Sequence, residues 1–237
     1  MESKNSKQES INHIFSNISG KYDLMNDLMT FGLQRTWKQI MINNIVPRKN
    51  FHLLDMACGT GDISFSFFER NKKILHNSKL TLCDINIDML RMARRRKFDD
   101  NIFDWICANA ENIPIETDLV DAYTISFGLR NVTNVDAALQ EAYRVIKPGG
   151  KFLCLEFGKV DSELLGKLYS IYSKKFIPTL GKLVTGNRGA YEYLINSINE
   201  FPHQTTLFKK IKKCGFKKGN FINLFSGIVV FYYAWKI

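Results

Sequence analysis

The sequence lacks the patterns that mark several classes of protein. Its five cysteines are widely spaced without a Cys-x-x-Cys pair, and its four histidines are scattered. We therefore predict no metal site, no disulfide framework and a reducing compartment. Three cysteines (Cys83, Cys107 and Cys154) lie in predicted buried strands. No apolar run reaches the roughly 18 residues that a membrane-spanning helix requires.

Targeting signals and internal repeats are also missing. Residues 1–12 have neither the apolar core of a signal peptide nor the Arg-rich, acid-poor composition of a transit peptide. We therefore expect one cytoplasmic domain spanning 1–237. The net charge of +10 favours an anionic partner, which could be nucleic acid, acidic lipid or an acidic substrate.

A strand, a tight turn and a helix are predicted around 51–71. The apolar run 51–57, which contains Asp55, ends at Gly59-Thr60-Gly61, and a helical pattern follows. Glycines let a ligand approach the backbone, and a helix start offers unpaired N–H groups. We predict that Asp55, Gly59, Thr60 and Gly61 belong to a nucleotide-like cofactor site. The alternative is an ordinary strand-turn-helix corner.

The helix start indicates which cofactor this is. A dinucleotide fingerprint needs a third glycine, but Asp62 opens the helix and Ile63 and Ser64 follow it. An acidic residue is a poor neighbour for a pyrophosphate. S-adenosylmethionine, which has no phosphate and a cationic sulfonium, fits this turn better.

Two later strand ends extend the predicted site. Asp84 ends the next apolar run, 23 residues after Gly61, which is the spacing of an acid that accepts the ribose hydroxyls. The alternative for Asp84 is a helix N-cap. Asn109, after the third strand, could bond the adenine or be an ordinary turn amide.

The order of elements predicts an α/β, Rossmann-like fold with a mostly parallel, seven-stranded sheet. A helical cap (1–50) and a helical insert (161–215) would flank a core of 51–160 and 216–237. The predicted strands are 51–57, 79–84, 102–107, 119–127, 151–157, 216–221 and 227–235; the predicted helices include 35–44, 62–71, 86–97 and 133–146.

Three stretches together resemble one family. They are Tyr22-Asp23-Leu24-Met25-Asn26 with Trp37 downstream, Ser126 to Val132, and Arg144 to Glu156. The chain resembles the ubiquinone/menaquinone biosynthesis C-methyltransferases, the UbiE/COQ5 family, over almost its whole length, and the bacterial type is the closer match. The resemblance implies a class I S-adenosylmethionine-dependent methyltransferase. It departs at Thr30, Gln34 and Gly158, where the family usually has Ser, His and Ser.

The resemblance also implies site residues. Thr60, Asp84, Asn109, Ala110 and Ser126 would contact the cofactor, and of these Ala110 and Ser126 rest on the family alone. The implied reaction is methylation of a ring carbon of a polyprenylated benzoquinol or naphthoquinol.

The catalytic residues follow from position and chemistry. Arg130, with Asn131, follows the fourth strand and could stabilise a phenolate or form one end of a water relay. The alternative for Arg130 is an ion pair with a local acid. Tyr22 and Asp23 on the cap could orient the quinol or complete that relay.

The substrate's tail predicts reversible contact with an anionic membrane, at its inner face. Lysines interleave with an apolar stripe in the insert (Lys167, Lys174, Lys175 and Lys182), either as a lid over the tail or as a helix packed on the domain. The basic cluster from Arg91 to Lys97 could instead face lipid or nucleic acid, or simply complement a helix C-terminus. A homodimer or a quinone-biosynthesis complex is a further expectation.

Two alternatives remain for the function as a whole. The chain could methylate another lipid or small molecule, or it could be a basic nucleic-acid-binding module. It lacks the Asn/Asp-Pro-Pro-aromatic motif of nucleic-acid amino-methyltransferases and the usual stacking motifs, so we predict no nucleic-acid partner. A catalytically idle scaffold is a third possibility.

Overall fold

The computed structural model describes residues 27–28, 30–96, 101–160 and 188–237. Tyr22, Asp23 and the four lysines of the predicted lid lie outside these ranges. The helices are α1 (Leu33–Asn43), α2 (Asp62–Asn71), α3 (Ile87–Arg94), α4 (Val135–Val145), α5 (Arg188–Glu200) and α6 (Gln204–Lys213). The strands are β1 (His52–Met56), β2 (Lys79–Asp84), β3 (Phe103–Cys107), β4 (Val120–Ser126), β5 (Ile146–Phe157), β6 (Lys217–Leu224) and β7 (Val229–Trp235).

The strands form one sheet in the order β3-β2-β1-β4-β5-β7-β6. The first five strands are parallel, and β7 and β6 are antiparallel to their neighbours. The strand order reverses between β1 and β4, and a ligand crevice is expected at the carboxyl ends of the strands there. The predicted α/β class and the closing hairpin are confirmed.

Helices cover both faces of the sheet. All five residues of β1 and six of the seven in β4 are buried, as in parallel strands covered on both sides. One core cluster packs α4 and α6 on the sheet, and the other packs α1 and α2 on it. Trp37, Met41 and Ile42 of α1 belong to the second cluster, so α1 is part of the core.

Two local predictions were wrong. β5 begins at Ile146 and not at 151, because the Pro-Gly-Gly stretch remains within the strand. The N–H of Gly149 donates to the carbonyl oxygen of Lys236 (2.7 Å), the residue just after β7 and far from Gly149 in the sequence. Cys107 is exposed, because β3 is an edge strand of the sheet.

The described helices include none that is both long enough and apolar enough to cross a bilayer.

Candidate active site

A cavity of about 290 Å³ lies at the carboxyl ends of β1 and β4. Three structural parts meet there: helix α1, the turn after β1, and the segment after β4, with α5 closing one side. Its lining includes Gln34, Trp37, Lys38, Asp55, Cys58, Gly59, Thr60, Asp62, Ser126, Phe127, Arg130, Phe157, Leu194, Ile198 and Phe225. The cavity therefore lies where the strand order reverses, as expected for this class of sheet.

The two glycines of the turn are required for different reasons. Gly59 has φ 55°, and nothing lies within 4 Å of where its Cβ would be, so its backbone is open to a ligand. Gly61 has φ 82°, and a Cβ there would lie 2.5 Å from Phe65 Cε2 and 2.9 Å from Leu82. Gly61 thus permits α2 to pack against β2, whereas Gly59 keeps the cavity side open.

Asp84 is held in a fixed orientation at the end of β2. Its two carboxylate oxygens accept the N–H groups of Gly59 and Asn86, each at 2.8 Å. Burial raises the pKa of Asp84, and these two donors oppose the shift. The N-cap of α3 is the Asn86 side chain, which accepts from Asp88 and Met89, so the N-cap alternative for Asp84 was wrong. Asp84 thus links the glycine turn to the end of β2, where a ribose would lie.

Asp55 is bonded within the protein. Its carboxylate accepts the hydroxyls of Ser64 (2.8 Å) and Thr124 (2.9 Å). Burial raises the pKa of Asp55 to about 6. Asp55 lines the cavity, but its hydrogen bonds connect β1 to α2 and β4. Asp55 therefore stabilises the turn between β1 and α2.

Asn109 and Ala110 follow β3 close to Asp84, and none of these three residues is part of the cavity lining. The N–H of Ala108 donates to the carbonyl oxygen of Asp84 (3.1 Å), which places the turn after β3 next to the end of β2. Asn109 Oδ1 accepts the N–H of Glu111 (2.9 Å), the geometry of a turn amide. Ala110 is buried. This position suits an adenine neighbour, and the role of Asn109 stays a prediction.

Three buried polar atoms around the cavity have no hydrogen-bond partner among the described residues: Trp37 Nε1, Ser126 Oγ and Arg130 Nε. Buried polar groups in proteins are normally bonded, so exceptions need an explanation. A ligand bearing both donors and acceptors would supply the missing partners. Ser126 was predicted as a cofactor contact, and its unpartnered hydroxyl is consistent with that.

Arg130 forms a buried ion pair. Its Nη1 lies 2.8 Å from Glu156 Oε1, and the side chains are only 4% and 0% exposed. The same carboxylate accepts the N–H groups of Arg130 and Phe157. The guanidinium also donates to the Phe127 carbonyl oxygen and lies over the Phe157 ring. The ion-pair alternative is therefore present, and Arg130 also lines the cavity.

Asn131 connects the loop after β4 to α5. Its Oδ1 accepts the hydroxyl of Tyr193 at 3.1 Å, and burial raises the pKa of that hydroxyl. Asn131 does not line the cavity. Sequence reasoning missed Trp37, which lines the cavity, and Glu156, which pairs with Arg130 there. A signal existed for Glu156, because it is the last residue but one of the strand next to β4.

The acid at the start of α2 is already paired. Asp62 lies 2.8 Å from Lys38 Nζ and 2.5 Å from Arg96 Nη1. Burial alone would raise its pKa, but the two cations hold the pKa of Asp62 below its usual range. Because two cations compensate its charge, Asp62 by itself neither excludes a phosphate nor selects a sulfonium, which the sequence alone did not reveal.

The model of the ubiE/COQ5 methyltransferase family matches residues 2–236. The chain belongs to this family. A ubiquinone/menaquinone biosynthesis C-methyltransferase UbiE of Rickettsia bellii is 47% identical over 236 residues, which are 98% of this chain and 95% of that protein. The enzyme of the same name from Rhodopseudomonas palustris is 44% identical, over 98% of this chain and 92% of its own.

A SAM-dependent methyltransferase of Thermotoga maritima has the same fold. Its TM-score is 0.67 at 19% identity, over 96% of this chain and 100% of that one. The predicted family, fold class and methyltransferase activity with S-adenosylmethionine are therefore confirmed. The function predicted from the sequence is the one that the names of the Rickettsia bellii and Rhodopseudomonas palustris relatives state.

The described residues fit S-adenosylmethionine. Gly59 leaves the turn open, the Asp84 carboxylate is oriented by two backbone donors, and the Ser126 hydroxyl is buried without a partner. The assignment of these residues to the cofactor, with Thr60 and Asn109 beside them, stays a prediction.

Proposed function

We propose that this protein transfers a methyl group from S-adenosylmethionine to a ring carbon of a polyprenylated benzoquinol or naphthoquinol. The observation that carries this proposal is the apolar cavity beside the cofactor turn, which holds unpartnered buried polar atoms. Aromatic and aliphatic walls suit a ring with a hydrocarbon tail, and a few polar atoms suit its two oxygens.

S-adenosylmethionine, when bound, supplies an electrophilic methyl group. The chain's own task is to align the ring carbon and to exclude water. The Asp84 carboxylate would accept the ribose hydroxyls, and Ser126 Oγ would bond the cofactor from the β4 side. Phe127 and Phe157 (ring centroids 4.9 Å apart) would exclude water from the reacting carbon.

Arg130 would stabilise the phenolate oxygen that forms when the quinol hydroxyl gives up its proton to water, because this phenolate makes the neighbouring ring carbon nucleophilic enough to attack the methyl group. An arginine does not act as a base, because its pKa lies above about 12. The pair with Glu156 fixes the guanidinium, and its Nε–H is left without a partner in the cavity wall. A donor fixed in advance requires no reorganisation during reaction. Tyr22 and Asp23 stay predicted as groups that orient the quinol.

The test is mass spectrometry of quinones from cells that lack this protein. We expect a precursor that is one methyl group short of the mature quinone, and its conversion by purified protein with S-adenosylmethionine. An unchanged quinone pool would refute the proposal and favour another lipid or small molecule as acceptor. Salt-sensitive retention on RNA without quinol turnover would favour the nucleic-acid-binding alternative.

We further propose reversible contact with an anionic membrane through the insert lysines Lys167, Lys174, Lys175 and Lys182. The position of the other large group of lysines supports this choice, because it lies away from the cavity. Residues 201–237 carry seven lysines and no acid, a large share of the net charge. However, Lys217 and Lys151 both lie opposite Trp235 in the strand register, one on each side of β7. This places Lys217 at the end of the strands opposite the cavity. A bilayer bound there would face away from the substrate cavity.

Charge-matched variants test the docking surface. Changing the four insert lysines to Gln should weaken co-sedimentation with anionic liposomes, because each basic residue near such a surface contributes about 1 kcal/mol. The control changes four exposed lysines at the opposite edge (Lys209, Lys213, Lys217 and Lys218). Equal loss in both variants, or loss in the control alone, would refute the lid as docking surface.

A further inference from the structure

A partly buried ion cluster connects three segments around the cofactor turn. Asp62, the first residue of α2, bonds Lys38 of α1 on one side and Arg96, just after α3, on the other. Arg96 Nη1 also donates to the Thr60 carbonyl oxygen (3.0 Å), and its guanidinium lies over the Phe65 ring. We call these three side chains the Asp62 ion cluster; Asp62 and Lys38 line the cavity.

The Lys38–Asp62 pair differs from ordinary surface pairs. The Lys38 side chain is 14% exposed and Asp62 30%, with a separation of 2.8 Å. In the Lys72–Glu69 pair near the end of α2, both side chains are more than half exposed and the atoms are 3.5 Å apart. Exposed pairs contribute little because water and salt screen them, whereas a shielded pair retains its attraction.

The same helix face carries the acceptor side of the cavity. Gln34 lies one helical turn before Lys38, and Trp37 is adjacent to it; both are buried and line the cavity. Residues four apart on a helix share a face. The position of Lys38 relative to Asp62 therefore also sets the position of Gln34 and Trp37 relative to the cofactor turn.

We propose that Lys38 and Asp62 are positioning residues that couple the methyl-donor turn to α1. Occupation of the turn by the donor would hold Asp62 in place, and through Lys38 it would reduce local opening of α1, the helix that carries Gln34 and Trp37. The donor would thus stabilise an acceptor pocket that the fold already forms. This inference deepens the proposed function, because it takes the space beside α1 as the acceptor pocket.

Hydrogen exchange tests the coupling without any quinol. S-adenosylhomocysteine, a stable analogue of the donor, should slow amide exchange in α1 of the parent severalfold. Lys38→Met should remove this protection from α1 but not from the turn residues, and Lys38→Arg should largely restore it. Equal protection of α1 in the parent and Lys38→Met would overturn the inference.

Arg70→Met is the matched control. Arg70 of α2 also bonds α1, through Gln39 and Asn43 at 2.7 Å each, but at the end of α2 away from the turn. A merely structural link between the two helices would make Arg70→Met lose donor-induced protection as Lys38→Met does, and this result would overturn the inference. We expect Arg70→Met to retain it.

A second measurement separates this inference from the proposed function. With a short-tailed quinol, donor and quinol should tighten each other's binding by the same factor in the parent, because linkage is reciprocal. In Lys38→Met the factor should fall towards one. Quinol methylation with an undiminished factor would refute the coupling alone. Absence of quinol binding, with exchange protection of α1 intact, would refute the quinol alone.

Discussion

The two ends of the strands in the central sheet differ in how their buried polar groups are partnered. We call the end at the cavity the carboxyl edge and the opposite end the amino edge. At the carboxyl edge, Trp37 Nε1, Ser126 Oγ and Arg130 Nε lack partners among the described residues. At the amino edge, Asp121 accepts the N–H of His52 (2.7 Å) and pairs with Arg48 and Lys147. This contrast indicates an edge adapted to a ligand and an edge adapted to stability.

The aromatic residues show the same contrast. Trp37 packs edge-on against Phe225, which is 51% exposed at the cavity rim. At the other edge, Lys151 covers the rings of Tyr233 and Trp235, and its ammonium bonds the Asn44 carbonyl oxygen. Exposed aromatic surface next to a cavity suits an apolar ligand, whereas aromatic surface covered by a cation is already in use.

The largest expected effect concerns the buried pair at the carboxyl edge. Glu156→Gln leaves the Arg130 guanidinium buried without a charged partner, so the free energy of unfolding should fall by about 3–5 kcal/mol. The control at the amino edge is Asp104→Asn in the exposed Lys79–Asp104 pair, which should cost at most about 1 kcal/mol. Urea unfolding measures both.

The double variant Arg130→Met with Glu156→Gln sharpens this test. It removes the lone charge, so it should be more stable than Glu156→Gln alone. It should also show reduced methyl transfer in single-turnover experiments with little change in cofactor affinity, because Arg130 would act on the phenolate of the acceptor and not on the cofactor. A double variant that is no more stable than the single one would contradict the assignment of a desolvated pair.

The second prediction compares one aspartate from each edge. Asp84→Ala should weaken S-adenosylmethionine binding on the order of a hundredfold, because two charge-assisted bonds to the ribose are lost. Asp121→Asn should leave the dissociation constant unchanged but lower the free energy of unfolding. Calorimetry with both variants decides the matter. An unchanged dissociation constant in folded Asp84→Ala would remove Asp84 from the cofactor site.

Much of the fold and of the candidate site could be predicted from the sequence, and the exceptions have a common cause. The bounds of β2 were predicted at 79–84, because an apolar run ends in a single carboxylate there. Local chemistry also predicted the glycine turn. In contrast, the start of β5 depends on Lys236, and the Asp62 ion cluster depends on Lys38 and Arg96. Such long-range partners leave no local pattern.

The resemblance identified residues that spacing could not. Ser126 was predicted from the family alone, and the unpartnered hydroxyl supplies a physical reason for it. Arg130 was predicted with three open roles (phenolate stabiliser, one end of a water relay, or ion pair with a local acid), and sequence alone could not choose among them. The pairing with Glu156 requires β4 and β5 to be neighbours, which follows from the fold and not from either strand.

The third prediction uses opposite pH dependences at the two edges. Burial raises the pKa of Asp55 to about 6, so the folded protein holds a proton there that the unfolded chain releases near pH 4. Asp55 therefore lowers stability as pH rises from about 4 to 6. Burial lowers the pKa of His52 to about 4, so His52 lowers stability as pH falls from about 6.5 to 4.

Single variants should separate these two contributions, each about 2–3 kcal/mol in size. The stability of Asp55→Asn minus that of the parent should rise between pH 4 and 6, since asparagine does not titrate. Its Oδ1 can accept from one of the hydroxyls of Ser64 and Thr124, and its Nδ2 can donate to the other. The same difference for His52→Gln should fall over this range. Urea unfolding at several pH values gives both curves. If both differences rise, or both fall, between pH 4 and 6, one of the two groups is not buried as described.

The smallest expected effect concerns the hydroxyl of Ser126. Because this group has no partner among the described residues, Ser126→Ala should leave the free energy of unfolding unchanged or slightly higher. Loss of one hydrogen bond of about 0.5–1.5 kcal/mol to the cofactor should weaken its binding roughly two- to tenfold.

The matched variant at the amino edge is Thr81→Val, which removes the hydroxyl that bonds His52 Nε2 at 2.9 Å. We expect Thr81→Val to lower stability by about 1–3 kcal/mol and to leave cofactor affinity unchanged. If Ser126→Ala instead destabilises the protein as Thr81→Val does, and binds the cofactor as the parent does, the two edges do not differ in the way described.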